Sequence, residues 1–269
     1  MNALPRRRPA LVLALGLVTL LTAGCDVSLG NGEFSLSASG RATDTWTRSY
    51  TVAPGGRFAI QNTNGIIEIE QGTGPAVEVR AERTARASTD EDAKALLAKI
   101  EMVETVAPDS VRIETKTPRS YGRGGVEVKY YVKVPEGLHV APHTTNGGIK
   151  LTGLTNDIDA STTNGGVHGE GLAGSVSAES TNGGIDLSIA SLGKDGVRAS
   201  TTNGGIGVDV PADIKADVSV RVTNGGIGVD NLQVETTEQN RRHLEGRING
   251  GGPRIELSTT NGGIHLTGK

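Results

Sequence analysis

The stretch Ser161-Thr162-Thr163-Asn164-Gly165-Gly166-Val167 contains the unit that decides the fold, because its Thr-Asn-Gly core occurs seven times in the 269-residue chain. The asparagines of these units are Asn64, Asn146, Asn164, Asn182, Asn203, Asn224 and Asn261. Successive units in the central block lie 18, 18, 21 and 21 residues apart. Repeats of about 20 residues are typical of solenoid proteins.

Apolar residues recur at fixed distances from each asparagine. Six residues before it stand Phe58, Val140, Ile158, Val176, Val197, Val218 and Ile255. Three residues after it stand Ile67, Ile149, Val167, Ile185, Ile206, Ile227 and Ile264. The positions four residues before and five residues after the asparagine are mostly apolar as well, and this alternation predicts strands with one buried face. The Asn-Gly-Gly between them predicts a tight corner, since both residue types tolerate positive φ.

Two architectures fit such a repeat. Asn-Gly is a strong hairpin signal, so a stack of hairpins is one alternative. We favour a parallel β-solenoid, an all-β fold, because the same residue types recur in every column and stacking would place like on like. The seven asparagines would then form a corner ladder of paired amides, as in cross-β structures. A ligand-binding ladder is the less favoured interpretation.

The repeat is interrupted between Asn64 and Asn146. Residues 77–82 predict a strand, Ser88-Thr89-Asp90-Glu91 resembles a helix capping box, and apolar residues at helical spacing follow. Residues 111–117 and 126–134 alternate as strands. Solenoids need a terminal cap over their core, so we assign residues 46–137 to the first rung plus a helix-containing cap, and residues 138–269 to the solenoid repeats. A separate ligand-binding domain is the alternative for the cap.

The chain from about Trp46 to Lys269 resembles the bacterial putative-adhesin domain of unknown function, or toast-rack family. The resemblance rests on the repeated Thr-Asn-Gly-Gly-Ile units, on the early rung Asn64–Ile69, and on Tyr131-Val132-Lys133-Val134-Pro135-Glu136-Gly137. It implies a right-handed β-solenoid at the cell envelope. The family brings no catalytic residue set to this chain.

The N-terminal segment has the features of a targeting signal. Three arginines at positions 6–8 precede an apolar run that ends in Leu21-Thr22-Ala23-Gly24-Cys25, which resembles a bacterial lipobox apart from Thr22. We expect residues 1–24 to be a lipoprotein signal peptide and the single cysteine, Cys25, to carry a lipid that anchors the protein to a membrane. Ordinary secretory cleavage is the alternative. Residues 25–45 are predicted to be a flexible tether.

Charge and aromatic content exclude some partners. Residues 1–24 hold three arginines and no acidic residue, so their removal changes the net charge from −3 to −6. A net negative chain argues against a nucleic-acid partner, whose phosphates require clustered Lys and Arg. The aromatic residues lie before residue 132, so the main stack lacks the platforms that sugar-binding and single-strand-binding surfaces use.

No convincing active site is found in the sequence, and we expect a non-enzyme without cofactor or metal. His139 and His143, if extended, would lie about 13 Å apart, and three further histidines are scattered (His168, His243 and His265). Asp186 and Asp209 belong to neighbouring rungs but different columns, which disfavours a carboxylate pair. The segment 225–232 resembles a calcium-binding nonapeptide, but its copies are too far apart in sequence to share ions.

Two features are candidate contact sites. Residues 235–247 interrupt the rung spacing with mixed charges, for which a solvated loop is the favoured interpretation. The last rung ends at Lys269 without a following helix, which suggests a bare sheet edge open to strand addition.

We therefore expect a lipid-anchored, extracytoplasmic envelope protein that acts as a non-catalytic, adhesin-like interaction scaffold. Its partner would be another envelope protein or a second copy. The alternatives are an accessory or sensor subunit in envelope-stress signalling and, less favoured, a glycan-active solenoid enzyme.

Overall fold

Each Asn-Gly-Gly corner is hydrogen-bonded to the corner of the neighbouring repeat. In this computed structural model, which describes residues 26–30, 33–37, 40–118 and 124–269, the Gly147 amide donates to the Asn164 carbonyl at 3.0 Å, and the Ile149 amide donates to the Gly166 carbonyl at 3.0 Å. These bonds join different repeats rather than the two strands of one repeat. The repeats are therefore rungs of a parallel solenoid, and the prediction of an all-β solenoid with one cap helix is confirmed.

Residues 39–269 form one compact unit that contains a single helix among its described residues. The elements of this unit are β3 (Gly40–Tyr50), β4 (Arg57–Asn64), β5 (Ile67–Gln71), β6 (Val77–Ala87), α1 (Asp90–Leu97), β7 (Glu101–Ala107), β8 (Ser110–Lys116), β9 (Gly125–Val134), β10 (His139–Asn146), β11 (Ile149–Thr152), β12 (Asp157–Asn164), β13 (Val167–Asn182), β14 (Ile185–Asn203), β15 (Ile206–Val210), β16 (Ala216–Asn224), β17 (Ile227–Asp230), β18 (Val234–Gln239), β19 (His243–Ile248), β20 (Arg254–Asn261) and β21 (Ile264–Gly268).

The strands form two layers on either side of the corners. The first layer holds the strands that lead into a corner, in the order β7-β8-β4-β10-β12-β13-β14-β20-β16-β19-β18. The second layer holds the strands that leave it, in the order β3-β6-β9-β5-β11-β13-β14-β15-β21-β17. The long strands β13 and β14 continue through both layers.

The core lies between the layers and is built from the apolar columns that the repeat predicts. In the column three residues after the asparagine, Ile67, Ile185 and Ile264 have no exposed surface. Gly169 interrupts the neighbouring column, and a β-carbon there would lie 2.6 Å from Leu172 Cδ1. The Leu172 side chain therefore fills the space that the missing side chain leaves.

The first glycine of each corner is required by the close approach of the rungs. A β-carbon placed on Gly147 would lie 2.2 Å from the carbonyl oxygen of Gly65 in the next rung. One placed on Gly148 would meet nothing closer than the Gly166 carbonyl oxygen at 3.5 Å. The first glycine thus permits backbone contact between rungs, whereas the second occupies ordinary space.

A column of buried polar side chains lies two residues before the asparagines. These side chains hydrogen-bond the backbone carbonyls of the same corners. Thr162 Oγ1 donates to the Gly147 carbonyl at 2.9 Å, and Ser180 Oγ donates to the Gly165 carbonyl at 2.8 Å. Thr144, Thr201 and Thr259 make equivalent bonds. In these five rungs the hydroxyl therefore pairs with a glycine carbonyl of the adjacent rung, which offsets the cost of burying both groups.

The rungs do not stack in chain order. β20, which leads to Asn261, pairs in parallel with β14 on one side and with β16 on the other. The last rung in sequence therefore lies between the rungs of Asn203 and Asn224. Asn224 and Asn261 are 37 positions apart in sequence. The connection includes the hairpin β18–β19, and its greater length lets the chain return to the skipped place.

The expected bare edge at Lys269 is therefore wrong. β21 lies between β15 and β17, and the Lys269 amide donates to the Val210 carbonyl at 2.9 Å. Among the described strands, the outer ones at this end are β17 in the second layer and β18 in the first. The segment 235–247 is likewise not a loop, since most of it forms the hairpin β18–β19, whose residues Leu244 and Ile248 are buried.

The cap closes the other end of the core. Helix α1 begins after Thr89, whose Oγ1 accepts from the Asp92 amide at 3.1 Å, so the N-cap lies one residue later than the predicted capping box. Its buried residues Ala93, Leu96 and Leu97 contribute to the core. The cap strands β3, β6 and β9 are antiparallel and join the solenoid through the parallel pair β9–β5.

The segment predicted to be a tether contains strands. Residues 26–30 (β1) and 33–37 (β2) pair as an antiparallel hairpin in a unit of their own. The apolar alternation of Val27 with Leu29 and of Phe34 with Leu36 favours strands over irregular chain. β3 begins at Gly40 rather than after residue 45, because residues 40–45 continue the register with β6.

Alanine substitution of each glycine of one corner distinguishes the glycine that close backbone stacking requires from the one that tolerates a side chain. We expect Gly147→Ala to lower the free energy of unfolding by about 3 kcal/mol because its β-carbon overlaps the Gly65 carbonyl. Gly148→Ala should remain within about 1 kcal/mol of the parent protein. Urea unfolding followed by circular dichroism measures both, and equal losses for the two variants would contradict this account of the corner.

A buried tyrosine predicts loss of stability at high pH. Tyr130 is fully buried and its hydroxyl lies 2.5 Å from Thr115 Oγ1, and burial raises its pKa to about 12. The stability from the neutral phenol is fully present below pH 10 and is lost as the pH rises towards 12, because only the unfolded chain ionises there. Between pH 9 and 12 we expect the free energy of unfolding to fall further in the parent protein than in Tyr130→Phe. The difference between the two falls should be about 2–3 kcal/mol. Identical slopes would contradict the prediction.

Candidate functional site

The seven corner asparagines lie in one column and are linked by six side-chain hydrogen bonds. Their spatial order is Asn64, Asn146, Asn164, Asn182, Asn203, Asn261 and Asn224, and from Asn146 onward each amide Nδ2 donates to the Oδ1 of the preceding asparagine at 2.8–2.9 Å. Because the bonds all run in one direction, every internal asparagine uses both its donor and its acceptor on its neighbours. This arrangement favours a structural ladder over a row of ligand-binding amides.

The histidines are separated from one another. His139 Nδ1 lies 3.2 Å from Arg57 Nη1, and His143 Nδ1 lies 2.8 Å from Ser161 Oγ. His243 lies in the hairpin β18–β19, with Nε2 3.5 Å from a Glu245 carboxylate oxygen. Within the described part of the chain, no three His, Cys, Asp or Glu side chains are grouped so that they could hold a metal ion.

Asp186 and Asp209 do not face each other. Asp186 pairs in register with Gly207, and Asp209 pairs with Ser188, so the two carboxylates lie in different rows of the second layer. Both line a shallow cavity of about 390 Å³, and Lys269 Nζ contacts the Asp209 carboxylate. Asp209 is therefore ion-paired, and Asp186 lies in a different row. Glycoside hydrolysis uses two carboxyl groups on opposite sides of one bond, and this pair does not have that arrangement.

A larger cavity of about 880 Å³ lies on the outward surface of the second layer, where the cap meets the first rungs. Two rows of side chains cross its floor from strand to strand. The first row is Thr47, Arg80, Tyr131, Glu68 and Lys150, and the second row is Ser49, Glu78, Lys133, Glu70 and Thr152. We call this surface the cap groove.

The alternation of strand β9 creates the groove's aromatic residue. Tyr130 points into the core, and its neighbour Tyr131 points outward and is half-buried. The guanidinium carbon of Arg80 lies 4.2 Å from the centre of the Tyr131 ring, a cation–π contact. The groove therefore contains one aromatic ring held by a neighbouring cation.

Opposite charges surround this ring. Lys133 Nζ lies 3.3 Å from a Glu70 carboxylate oxygen, and both side chains are 57% exposed. Such an exposed pair contributes little to folding stability. Glu68, Glu78 and Lys150 add further charges to the two rows, so the groove offers charged donors and acceptors at the surface.

Residues 139–267 match the family model described as Toastrack DUF4097. The chain carries a toastrack domain. The family predicted from the sequence is thereby confirmed, and the matched residues correspond to the solenoid from β10 to β21. No curated protein matches the chain in sequence.

Several solved structures are similar to this chain in outline. A putative cell adhesion protein from Clostridium sporogenes covers 84% of this chain and 100% of its own at 12% identity, with a TM-score of 0.44. A putative adhesin from Bacteroides fragilis covers 83% and 97% at 13% identity, with a TM-score of 0.29. None of these likenesses reaches a TM-score of 0.5, so the family assignment rests on the domain match.

The cap groove was missed by sequence reasoning, although its aromatic residue was noted. The alternation of residues 126–134 shows that Tyr130 and Tyr131 lie on opposite faces of a strand. It does not show that Arg80 and Glu68 flank Tyr131, because those contacts depend on β6 and β5 pairing with β9. Cys25, the predicted lipidation site, lies outside the described residues. In the described segments no helix is long and apolar enough to cross a membrane.

Truncation of the two adjacent tyrosines should lower the free energy of unfolding by very different amounts. Tyr130→Ala should lower the free energy of unfolding by about 3–5 kcal/mol because it empties the core and leaves the Thr115 hydroxyl without its partner. Tyr131→Ala should cost about 1 kcal/mol or less, the loss of an exposed cation–π contact. Urea denaturation of both variants tests this. A loss above 2 kcal/mol for Tyr131→Ala would show that Tyr131 serves the fold rather than the groove.

Proposed function

We propose that this toastrack protein is a non-catalytic, adhesin-like interaction scaffold of the bacterial cell envelope, anchored to a membrane through a lipid on Cys25. The observation that carries the proposal is the cap groove, a concave and chemically mixed surface on a stiff stack. Concave sites with a few convergent polar groups are where proteins most often bind ligands.

The stack supports a scaffold role because each rung is tied to the next by several kinds of bond. The corner amides, the asparagine ladder and the buried hydroxyls all connect adjacent rungs. A surface carried by such a stack changes shape little on binding, so binding need not supply the free energy to order it.

The chemistry of the groove supports binding rather than catalysis. Catalytic acids and bases are usually buried beside groups that shift their pKa values. The groove's Lys133 and Glu70 are instead exposed and paired with each other. Arg80 is engaged with the Tyr131 ring. Because Lys133 and Glu70 are 57% exposed, they can still hydrogen-bond a ligand surface.

The anchor rests on the sequence alone. Residues 21–25 resemble a lipobox and supply the chain's one cysteine. A lipid at residue 25 would place the solenoid outside the cytoplasm and close to the membrane that holds it.

Site-specific crosslinking in the native envelope tests the proposal. A photo-crosslinking amino acid at Thr152 in the groove should form an adduct with a macromolecule of the envelope. The matched position Thr202, exposed on the first layer, should form several-fold less. Adduct yield is measured by the mobility shift of the tagged protein on gels.

The anchor is tested with the same strain. Cys25→Ser should abolish incorporation of labelled palmitate and release the protein from the membrane fraction. Equal adduct yields at positions 152 and 202 would reject the groove as the contact surface. Palmitate labelling that persists in Cys25→Ser would reject the anchor.

A further inference from the structure

We propose that the cap groove binds an uncharged, extended polysaccharide with β-1,4-linked hexose units. The inference rests on the proposed function, since it names the ligand class of the same surface. Three properties of the groove lead to it: its repeat, its charge balance and its aromatic floor.

The floor of the groove repeats at the spacing of β-strands. Its two rows cross strands β3, β6, β9, β5 and β11, each contributing one side chain per row. Neighbouring strands lie about 4.8 Å apart, which is close to the rise of one hexose unit in an extended β-1,4 chain. A polysaccharide laid across the strands would therefore meet one side chain of each row at about every sugar.

The charges on the floor favour an uncharged ligand. Three cations (Arg80, Lys133 and Lys150) and three carboxylates (Glu68, Glu70 and Glu78) alternate along the two rows. A fourth cation of the lining, Arg48, is ion-paired with Glu104. A polyanion or a polycation would face three like charges at close range. Sugar hydroxyls can accept from the cations and donate to the carboxylates, and hydrogen bonds to charged groups are the stronger class.

The Tyr131 ring supplies the apolar contact that sugar binding needs. Hexose units present C–H faces that pack on aromatic rings, and a tyrosine offers a large contact surface with little conformational freedom to lose. Arg80, which is also ion-paired with Glu82, covers one face of the ring at 4.2 Å from its centre, so the sugar would pack on the opposite face. The repeats beyond the groove carry no aromatic residue, so we place binding at the cap end of the second layer.

A protein partner fits this surface less well. Strand addition by a peptide requires an open strand edge, whereas the groove lies on the face of five strands that are hydrogen-bonded to one another. Hot spots of protein interfaces are mostly buried aromatic and arginine anchors, and Tyr131 with Arg80 is a single such pair within a field of mixed charges.

Calorimetric titration tests the inference on the full-length protein in a detergent without a sugar headgroup. The probes are cellohexaose, β-1,4-mannohexaose and N-acetylchitohexaose, with alginate oligomers as anionic and deacetylated chitohexaose as cationic comparators. We expect at least one neutral hexaose to bind with a Kd below 1 mM, corresponding to about −4 kcal/mol, and each charged comparator to bind at least tenfold more weakly.

Variants locate the site. Tyr131→Ala should weaken binding at least tenfold, Tyr131→Phe should retain it within about threefold, and Thr202→Ala on the first layer should leave it unchanged. A thermal melt of each variant shows that the fold is intact.

The inference is overturned if no neutral hexaose binds below 1 mM, if a charged oligomer binds more tightly, or if Tyr131→Ala binds like the parent protein. Crosslinking of position 152 to a protein, with no hexaose binding, would reject the polysaccharide and leave the scaffold function standing. Failure of both experiments would reject the two together.

Discussion

Close backbone stacking at the Asn-Gly corner is the constraint on which the rest of the structure depends. From rung to rung, the carbonyl oxygen of the first glycine lies between 1.9 and 2.2 Å from where the next rung's β-carbon would stand. Only glycine fits there. Once the backbones are that close, the asparagine amides come within hydrogen-bonding distance of one another, and the buried hydroxyls reach the glycine carbonyls beside them.

The same stacking makes the second layer a regular surface, and the cap turns part of that surface into a groove. Rungs alone place short strands side by side with outward side chains in rows. β9 continues the rows, but it belongs to the antiparallel set β3-β6-β9, whose strands are ten or eleven residues long. The groove forms where these two kinds of sheet meet, which explains why its residues come from distant parts of the chain.

The errors of sequence analysis concern connections between distant segments. The repeat contains no signal that the rung of Asn261 lies between the rungs of Asn203 and Asn224. The corners have nearly the same residues, so each rung fits equally well beside any other. Residues 235–247 were interpreted as a loop because their charges hide the strand pattern that buries Leu244. The groove was missed because Arg80, Tyr131 and Glu68 become neighbours only through strand pairing.

The sequence by itself determined the corner, the inward apolar columns, the asparagine ladder and the helix cap near Thr89. Each of these depends on local geometry or on a repeat that places like residues on like, so spacing alone is enough. Only the tertiary structure decided the order of the rungs, the strands of the C-terminal hairpin and the composition of the cap groove. These depend on which of several chemically equivalent strand edges pair, and that choice is set by connection lengths and core packing across the whole chain.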